Sequence, residues 1–312
     1  MASIVLVHGI NHQRETPDLI EAAWLPALAG SVRLAGRPDL ADRLWPPRSR
    51  PDSIDCRAAY YGGLFRSPDL QGADDDLRDL TPEQRDLAET LSREWLERVA
   101  ERATSGSTDA AQARQTLDIA QNPQRAQAMG SGNIQREVLN TLARSSWIAG
   151  TGMFLAERYV KTALAQVTRY LTEPAIREQA QKAVLALVNP ETRVIIGHSL
   201  GSVVVYECAH ALKHPLPLLV TLGSPLGLRT IVTERLSPPP AFPPMATIWL
   251  NVANLEDPVA AEPDLGPRFA QDVPASSRFE GIRFNEKGKD PHRAETYLGR
   301  IAVGRKVIEA LA

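Results

Sequence analysis

The chain has 312 residues, 43% of them hydrophobic, which is enough to bury the core of one large domain or of one domain carrying an insertion. A formal net charge of -2 and a pI near 6.3 give no electrostatic footprint for nucleic acid, so no nucleic-acid partner is expected. Two cysteines, Cys56 and Cys208, are too few for a disulfide framework and read as small buried hydrophobes, not as a redox pair or metal ligands.

The chain opens on Ile4-Val5-Leu6-Val7, a run of the kind that fills a buried parallel strand. It lacks the basic start and cleavage site of a secretory signal, and a cytoplasmic location is the expectation. Further strands are predicted at 54–60, 192–197, 218–222, 247–252 and 281–284, after a first strand at 3–8. Helical runs alternate with them, and this alternation predicts an α/β fold with a mostly parallel, doubly wound sheet. The first helix is expected to start at Thr16-Pro17, a cap followed by proline, and to end near Leu28 before Gly30. By the same logic the last helix should start after Asp290-Pro291, putting His292 in its first turn, and should carry Leu298, Ile301, Ile308 and Leu311 on one face.

Residues 64–189 are far too long for an ordinary connection and predict a helical cap inserted into a core made of 1–63 and 190–312. Thr81-Pro82-Glu83-Gln84 has the form of a capping box, with Leu87, Leu91, Trp95 and Val99 following at helical spacing. Further helices are predicted at 133–148, 154–171 and 176–188, and Asp74-Asp75-Asp76 reads as a solvated turn. The stretch 147–171 is interrupted by Glu157, Arg158, Lys161 and Arg169, so it should not span a membrane, although a peripheral membrane contact stays open. Pro238-Pro239-Pro240 with Pro243-Pro244 reads as a stiff loop near the rim of the site.

The most informative segment is Gly197-His198-Ser199-Leu200-Gly201, set between a strand-like and a helix-like run. Small residues two before and two after a serine allow a helix to fold back over a strand with the serine on the sharp turn between them. A serine hydroxyl needs an imidazole base, and the base needs an orienting acid. Five of the six histidines lie at or before position 214, which leaves His292 as the base candidate at the last strand-to-helix connection. The acid should follow the penultimate predicted strand, where Asp257 fits best, with Glu256 and Asp264 as runners-up. Backbone donors for an oxyanion are expected at Leu200 and, after Gly9, at Ile10, with Asn11 the alternative. His8 should brace its loop, His198 should point away beside the elbow, and Ser224 reads as a turn residue.

The HGI run after the first strand, the GHSLG elbow, the LGSPLG strand end, the NxxDPV turn and the late histidine together resemble the α/β-hydrolase superfamily. Within it the chain is similar to the compact lipase and esterase branch, including lipases akin to GPI inositol-deacylases. The resemblance covers residues 1–62 and 190–312. It implies a catalytic Ser199, Asp257 and His292, with Ile10 and Leu200 as the oxyanion hole and neither metal nor organic cofactor. The expected activity is hydrolysis of an ester or lipid-like small molecule through an acyl-enzyme. An acyltransferase or thioesterase on the same triad, or a non-catalytic binding protein of the same fold, stays open as an alternative. Trp147, Met153, Phe154 and Tyr159 of the insertion would suit an acyl chain, though the same spacing also suits plain core.

Overall fold

The computed structural model describes residues 2–45, 52–66, 77–102, 108–145, 153–232, 235–260, 262, 264–286 and 291–312. The Asp74-Asp75-Asp76 turn and Trp147 lie outside the described residues, as do the side chains of Met153 and Phe154.

Among the described residues one sheet of six strands is present, and every pairing in it is parallel. Its strands are β1 (Ile4–Val7), β2 (Cys56–Ala59), β3 (Val194–His198), β4 (Leu216–Leu222), β5 (Ala246–Asn254) and β6 (Arg278–Phe284), in the order β2-β1-β3-β4-β5-β6. The chain is thus mixed α/β, and all six strands fall where the apolar runs placed them. Alternating residues of each central strand divide between two cores: Ile4, Leu6, Val194 and Ile196 face one side, Val5, Val7 and Ile195 the other. This explains why the central strands read as continuous apolar runs. The exposed edge is blunted differently. No residue of β6 is buried, and Arg278, Glu280, Lys306 and Glu309 form a charged ladder along it.

Helices α1 (Pro17–Leu34) and α2 (Pro38–Leu44) cover the first face, together with α12 (Ala294–Leu298) and α13 (Ile301–Leu311). Ile20, Trp24, Leu28 and Val32 form the stripe that α1 buries there. The second face carries α9 (Leu200–His210) and the inserted helices. These are α3 (Pro82–Arg102), α4 (Thr108–Gln121), α5 (Pro123–Met129), α6 (Ser131–Arg144), α7 (Met153–Thr172) and α8 (Pro174–Leu185). Leu91, Trp95, Leu142, Leu164 and Val184 of the insertion belong to the same core cluster as Val5, Ile195 and Trp249 of the sheet. Two short helices, α10 (Arg229–Val232) and α11 (Gly266–Phe269), follow β4 and β5.

Several boundaries differ from the sequence expectation for identifiable reasons. Helix α1 runs through Pro26 and Gly30 to Leu34, and the left-handed residue that ends it is Gly36, at φ 95°, with Arg37 N–H bonding back to Val32 O. Packing of the Ile20-to-Val32 stripe overrides two residues that read locally as breakers. The last helix is two, divided at Gly299, and Gly304 is where α13 meets α1: a Cβ there would stand 2.4 Å from Ser31 C and O. Helices α4 and α5 have no counterpart in the reading of the sequence, because α4 buries only Ala110, Ala113 and Thr116 and so carries almost no apolar periodicity. The capping box does form: Thr81 N–H donates to Gln84 Oε1 at 3.0 Å, and Gln84 N–H to Thr81 Oγ1 at 3.3 Å.

The strand order reverses between β1 and β3. From β1 the chain moves outward to β2, then crosses back to β3 and proceeds the other way. After β1 the chain enters α1 on one face, and after β3 it enters α9 on the other, so the two loops part at the carboxyl ends of the strands. In open parallel sheets this is where ligands bind.

Candidate active site

Ser199 stands at that switch point, on the turn after β3. It joins β3 to α9 with φ 55° and ψ -129°, a left-handed backbone that a β-carbon disfavours, and its own N–H donates to Leu222 O at 3.0 Å. The two flanking glycines are required by close approach. A Cβ on Gly201 would stand 2.4 Å from the carbonyl oxygens of Val7 and His8, and one on Gly197 would stand 2.5 Å from Gly201 O. Gly201→Ala is therefore expected to cost about 2 kcal/mol or more, because the obstacle is β1 backbone and not a side chain that can rotate away. Urea unfolding checks this, and an unchanged midpoint would mean that α9 does not press on β1.

The candidate acid and base come from the far side of the sheet. Asp257 follows β5 and has no exposed surface. Its Oδ2 accepts from His292 Nδ1–H at 2.7 Å and from the Tyr297 hydroxyl at 2.5 Å, while Oδ1 accepts from Val259 N–H at 2.9 Å. Three donors thus offset the burial of one carboxylate. With Nδ1 carrying the proton toward Asp257, the lone pair of the His292 ring resides on Nε2. Gly223, at φ 53°, leaves the room for this cluster, since a Cβ there would lie 3.0 Å from Asp257 Oδ2 and 3.2 Å from the Tyr297 ring.

His292 does not lie in the first turn of a helix. It precedes Arg293, the cap of α12, and so stands ahead of that helix, not within it. The loop is held by side chains. Asn254 Nδ2 donates to Pro291 O at 3.4 Å and to Glu286 O at 3.2 Å, and its Oδ1 accepts from the amides of Glu256 and Glu286. His198 does not point away idly: its Nε2–H donates to His292 O at 2.7 Å and the two rings lie 4.7 Å apart. The residue before Ser199 thereby ties the His292 loop to the elbow. Neither runner-up acid takes part in the Asp257–His292 pair. Glu256 is held through its amide by Asn254, and Asp264 caps the Gly266 amide at 3.2 Å.

The loop after β1 supplies the opposite wall. Gly9 lies against the elbow, where a Cβ would be 2.4 Å from Ser199 Cβ and 3.0 Å from Ser199 Oγ. His8 braces this loop as expected. Its Nδ1–H donates to Gly9 O at 2.9 Å, its Nε2 accepts from Tyr61 N–H at 3.1 Å, and its ring stacks on Tyr61 at 4.2 Å. Because Gly9 C=O and Ile10 N–H belong to one rigid peptide plane, fixing the carbonyl also fixes the direction of the Ile10 amide. Among the described residues neither the Ile10 nor the Leu200 amide has a protein acceptor, whereas Asn11 N–H is taken by Gln166 Oε1 at 2.8 Å. That removes the Asn11 backbone amide as the alternative donor.

Ser224 is a turn residue: its hydroxyl accepts from Leu226 N–H at 3.2 Å and lies 2.7 Å from Ser202 Oγ. The proline-rich loop is not at the rim. Pro239 O accepts from the Tyr206 hydroxyl at 2.7 Å, about two turns along α9 from Ser199, and Pro243 O accepts from the amide of Ala246 at the amino end of β5. The stiff loop braces the base of the sheet. Cys56 and Cys208 are both buried and free, and burial pushes both thiols up, so they behave as the small hydrophobes expected.

Tyr297, Asn254, Gly223 and Gln166 were not singled out as positioning groups from sequence. Asn254 and Gly223 lie within the NxxDPV and LGSPLG runs, but their roles, like those of Tyr297 and Gln166, depend on contacts made far along the chain; Ile301, expected on the inward face, is 41% exposed, and α13 buries Val303, Val307 and Ala310 instead.

Burial pushes His198 well below the ordinary imidazole range, with His292 and His12 adding to the effect. His8 is pushed down to about 3, by burial first and then by His12. Both native rings therefore refuse a proton that the unfolded chain accepts below about pH 6.5. The native state then binds fewer protons than the unfolded one, so stability falls as the pH falls. Each ring contributes a slope of about 1.4 kcal/mol per pH unit. Urea unfolding between pH 6.5 and 5.5 should show a steep loss that His8→Gln reduces, and a flat profile would mean that these rings are protonated in the native protein.

Among the described residues no cluster of ligating side chains suited to a metal ion is present, and no helix is long and apolar enough to cross a membrane. Comparison with protein families, with curated proteins and with solved structures finds no match to the chain, so the reading of its function rests on its own residues.

Proposed function

We propose that the protein is a serine hydrolase of the α/β-hydrolase type, cleaving a carboxylic ester through an acyl-enzyme. The observation that carries this reading is a buried Asp257–His292 pair whose loop is tied by His198, at 2.7 Å, to the elbow that bears the strained Ser199. In this reading Ser199 Oγ attacks the ester carbonyl as its proton passes to His292 Nε2, and the carbonyl electron pair moves onto oxygen. The amides of Ile10 and Leu200 receive that oxyanion. Collapse breaks the bond to the alkoxy oxygen, which leaves with the proton from His292, and water repeats the sequence to release the acid. Asp257 keeps the imidazole in the tautomer that presents Nε2.

Ser199 is 2% exposed and His292 4% exposed, so an ester reaches the nucleophile only after some of the covering chain moves. This supports a closed form in which the inserted helices act as a cap that admits substrate. The apolar carboxyl-end residues Ile10, Tyr61, Phe65, Leu226 and Val259 sit in one cluster with those helices, which favours an apolar acyl group over a charged one. A panel of p-nitrophenyl esters from acetate to palmitate tests the reading. Turnover that varies with chain length is expected; no turnover of any ester would reject it.

A further inference from the structure

Gln166 lies toward the carboxyl end of α7, a helix buried at every position from 162 to 168, where its neighbours include Ala163, Leu164, Ala165 and Val167. It is 1% exposed, and both ends of its amide are spent on the loop after β1. Oε1 accepts from Asn11 N–H at 2.8 Å, and Nε2 donates to Gln13 Oε1 at 3.0 Å. A buried primary amide is costly unless satisfied, and here satisfaction comes only from a segment 155 and 153 residues away in sequence. The receiving residue is itself unusual, since Asn11 holds φ 63° without being glycine.

The consequence follows from peptide geometry. Two planes flank Ile10. The plane before it, which carries the Ile10 N–H, is pinned by His8 on Gly9 O. The plane after it, which carries the Asn11 N–H, is pinned by Gln166. The far end of the loop is fastened independently, where Gln13 O accepts from the Tyr60 hydroxyl at 3.0 Å and from Arg66 Nε–H at 2.5 Å. Withdrawal of α7 therefore frees Asn11 to leave its left-handed conformation, and Ile10 then loses half of what fixes its φ and ψ.

We infer that Gln166 is a positioning residue through which the insertion sets the oxyanion loop, so that seating of α7 and completion of the oxyanion hole are one event. The inference rests on the hydrolase reading of Ser199, Asp257 and His292. It gives the insertion a part in the chemical step beyond admitting substrate.

The test compares Gln166→Met, which keeps the volume and removes both hydrogen bonds, with Leu164→Ala, which weakens the same helix without touching the loop. Hydrogen exchange of the 9–13 segment and the kcat and KM for one ester are measured on each. In Gln166→Met the Asn11 amide should exchange at least about tenfold faster while the β1 amides do not change, and kcat should fall about 10- to 100-fold with KM within about threefold. Leu164→Ala should lower the melting temperature and leave both readouts near wild type. Should Gln166→Met fail to fold, Gln166→Asn, whose shorter amide cannot reach Asn11, carries the same expectations. Unchanged Asn11 exchange, or an equal fall of kcat in Leu164→Ala, overturns the inference. A wild-type protein that turns over no ester overturns the hydrolase reading instead, and the exchange rate at Asn11 still decides whether Gln166 holds the loop.

Discussion

Ser199→Ala is expected to remove turnover by about four to six orders of magnitude while leaving the protein as stable as wild type. The substitution deletes one oxygen and keeps everything that fixes the elbow. The amide of residue 199 still donates to Leu222 O, the carbonyl still faces Ser202 Oγ at 2.6 Å, and the Cβ that lies against Gly9 is retained. Alanine also meets the same left-handed backbone with the same β-carbon, so no new strain enters. Hydrolysis of the best ester and the urea midpoint are the two measurements. A fall in rate matched by a fall in stability would mean that the serine is structural, and a retained rate would move the nucleophile elsewhere.

The second large effect concerns the pair that activates the serine. Asp257→Asn and His292→Ala should each lower kcat by roughly 10³- to 10⁴-fold, and the double variant should be no worse than about the poorer single one. In Asp257→Asn the carboxylate oxygen that accepts from both His292 Nδ1 and the Tyr297 hydroxyl is exchanged for an amide. An amide nitrogen facing His292 drives the proton of the ring to Nε2, the atom that must be bare to act as base. Losing one acceptor among buried donors should also cost about 1–3 kcal/mol of stability. His292→Ala leaves Asp257 with Tyr297 and Val259 as donors, so its structural cost should be smaller. Losses that multiply in the double variant would show that the two residues act separately.

Much of this arrangement is legible in the sequence because local chemistry and global fold agree there. The six strands announce themselves as apolar runs because the central ones are buried on both faces, and a larger residue is excluded at Gly201 by the crossing of α9 over β1 and at Gly197 by the first turns of α9 folded back over β3. Asp257 and His292 could be named from their order in the chain, and the structure joins them at 2.7 Å. What the sequence withholds is whatever depends on distant contacts. Local reading stops α1 at Gly30, yet packing against α13 carries it to Leu34. A helix pattern starting at Pro291 places His292 inside a turn, whereas Asn254 and His198 hold it in a loop ahead of α12. Helix α4 escapes because alanine packs without a strong periodic signal. Gln166 is invisible as a loop anchor, since nothing near it in sequence hints at Asn11.

The central claim is that Ser199 is an activated nucleophile, and the most direct measurement is the site of covalent modification. The wild-type protein is treated with a fluorophosphonate, digested and mapped by mass spectrometry, alongside the Ser199→Ala and His292→Ala variants. A single adduct on the peptide carrying Ser199, absent from Ser199→Ala and formed far more slowly in His292→Ala, is the expected result. Labelling of wild type and Ser199→Ala at the same rate, or no labelling of the folded wild-type protein, would contradict the account.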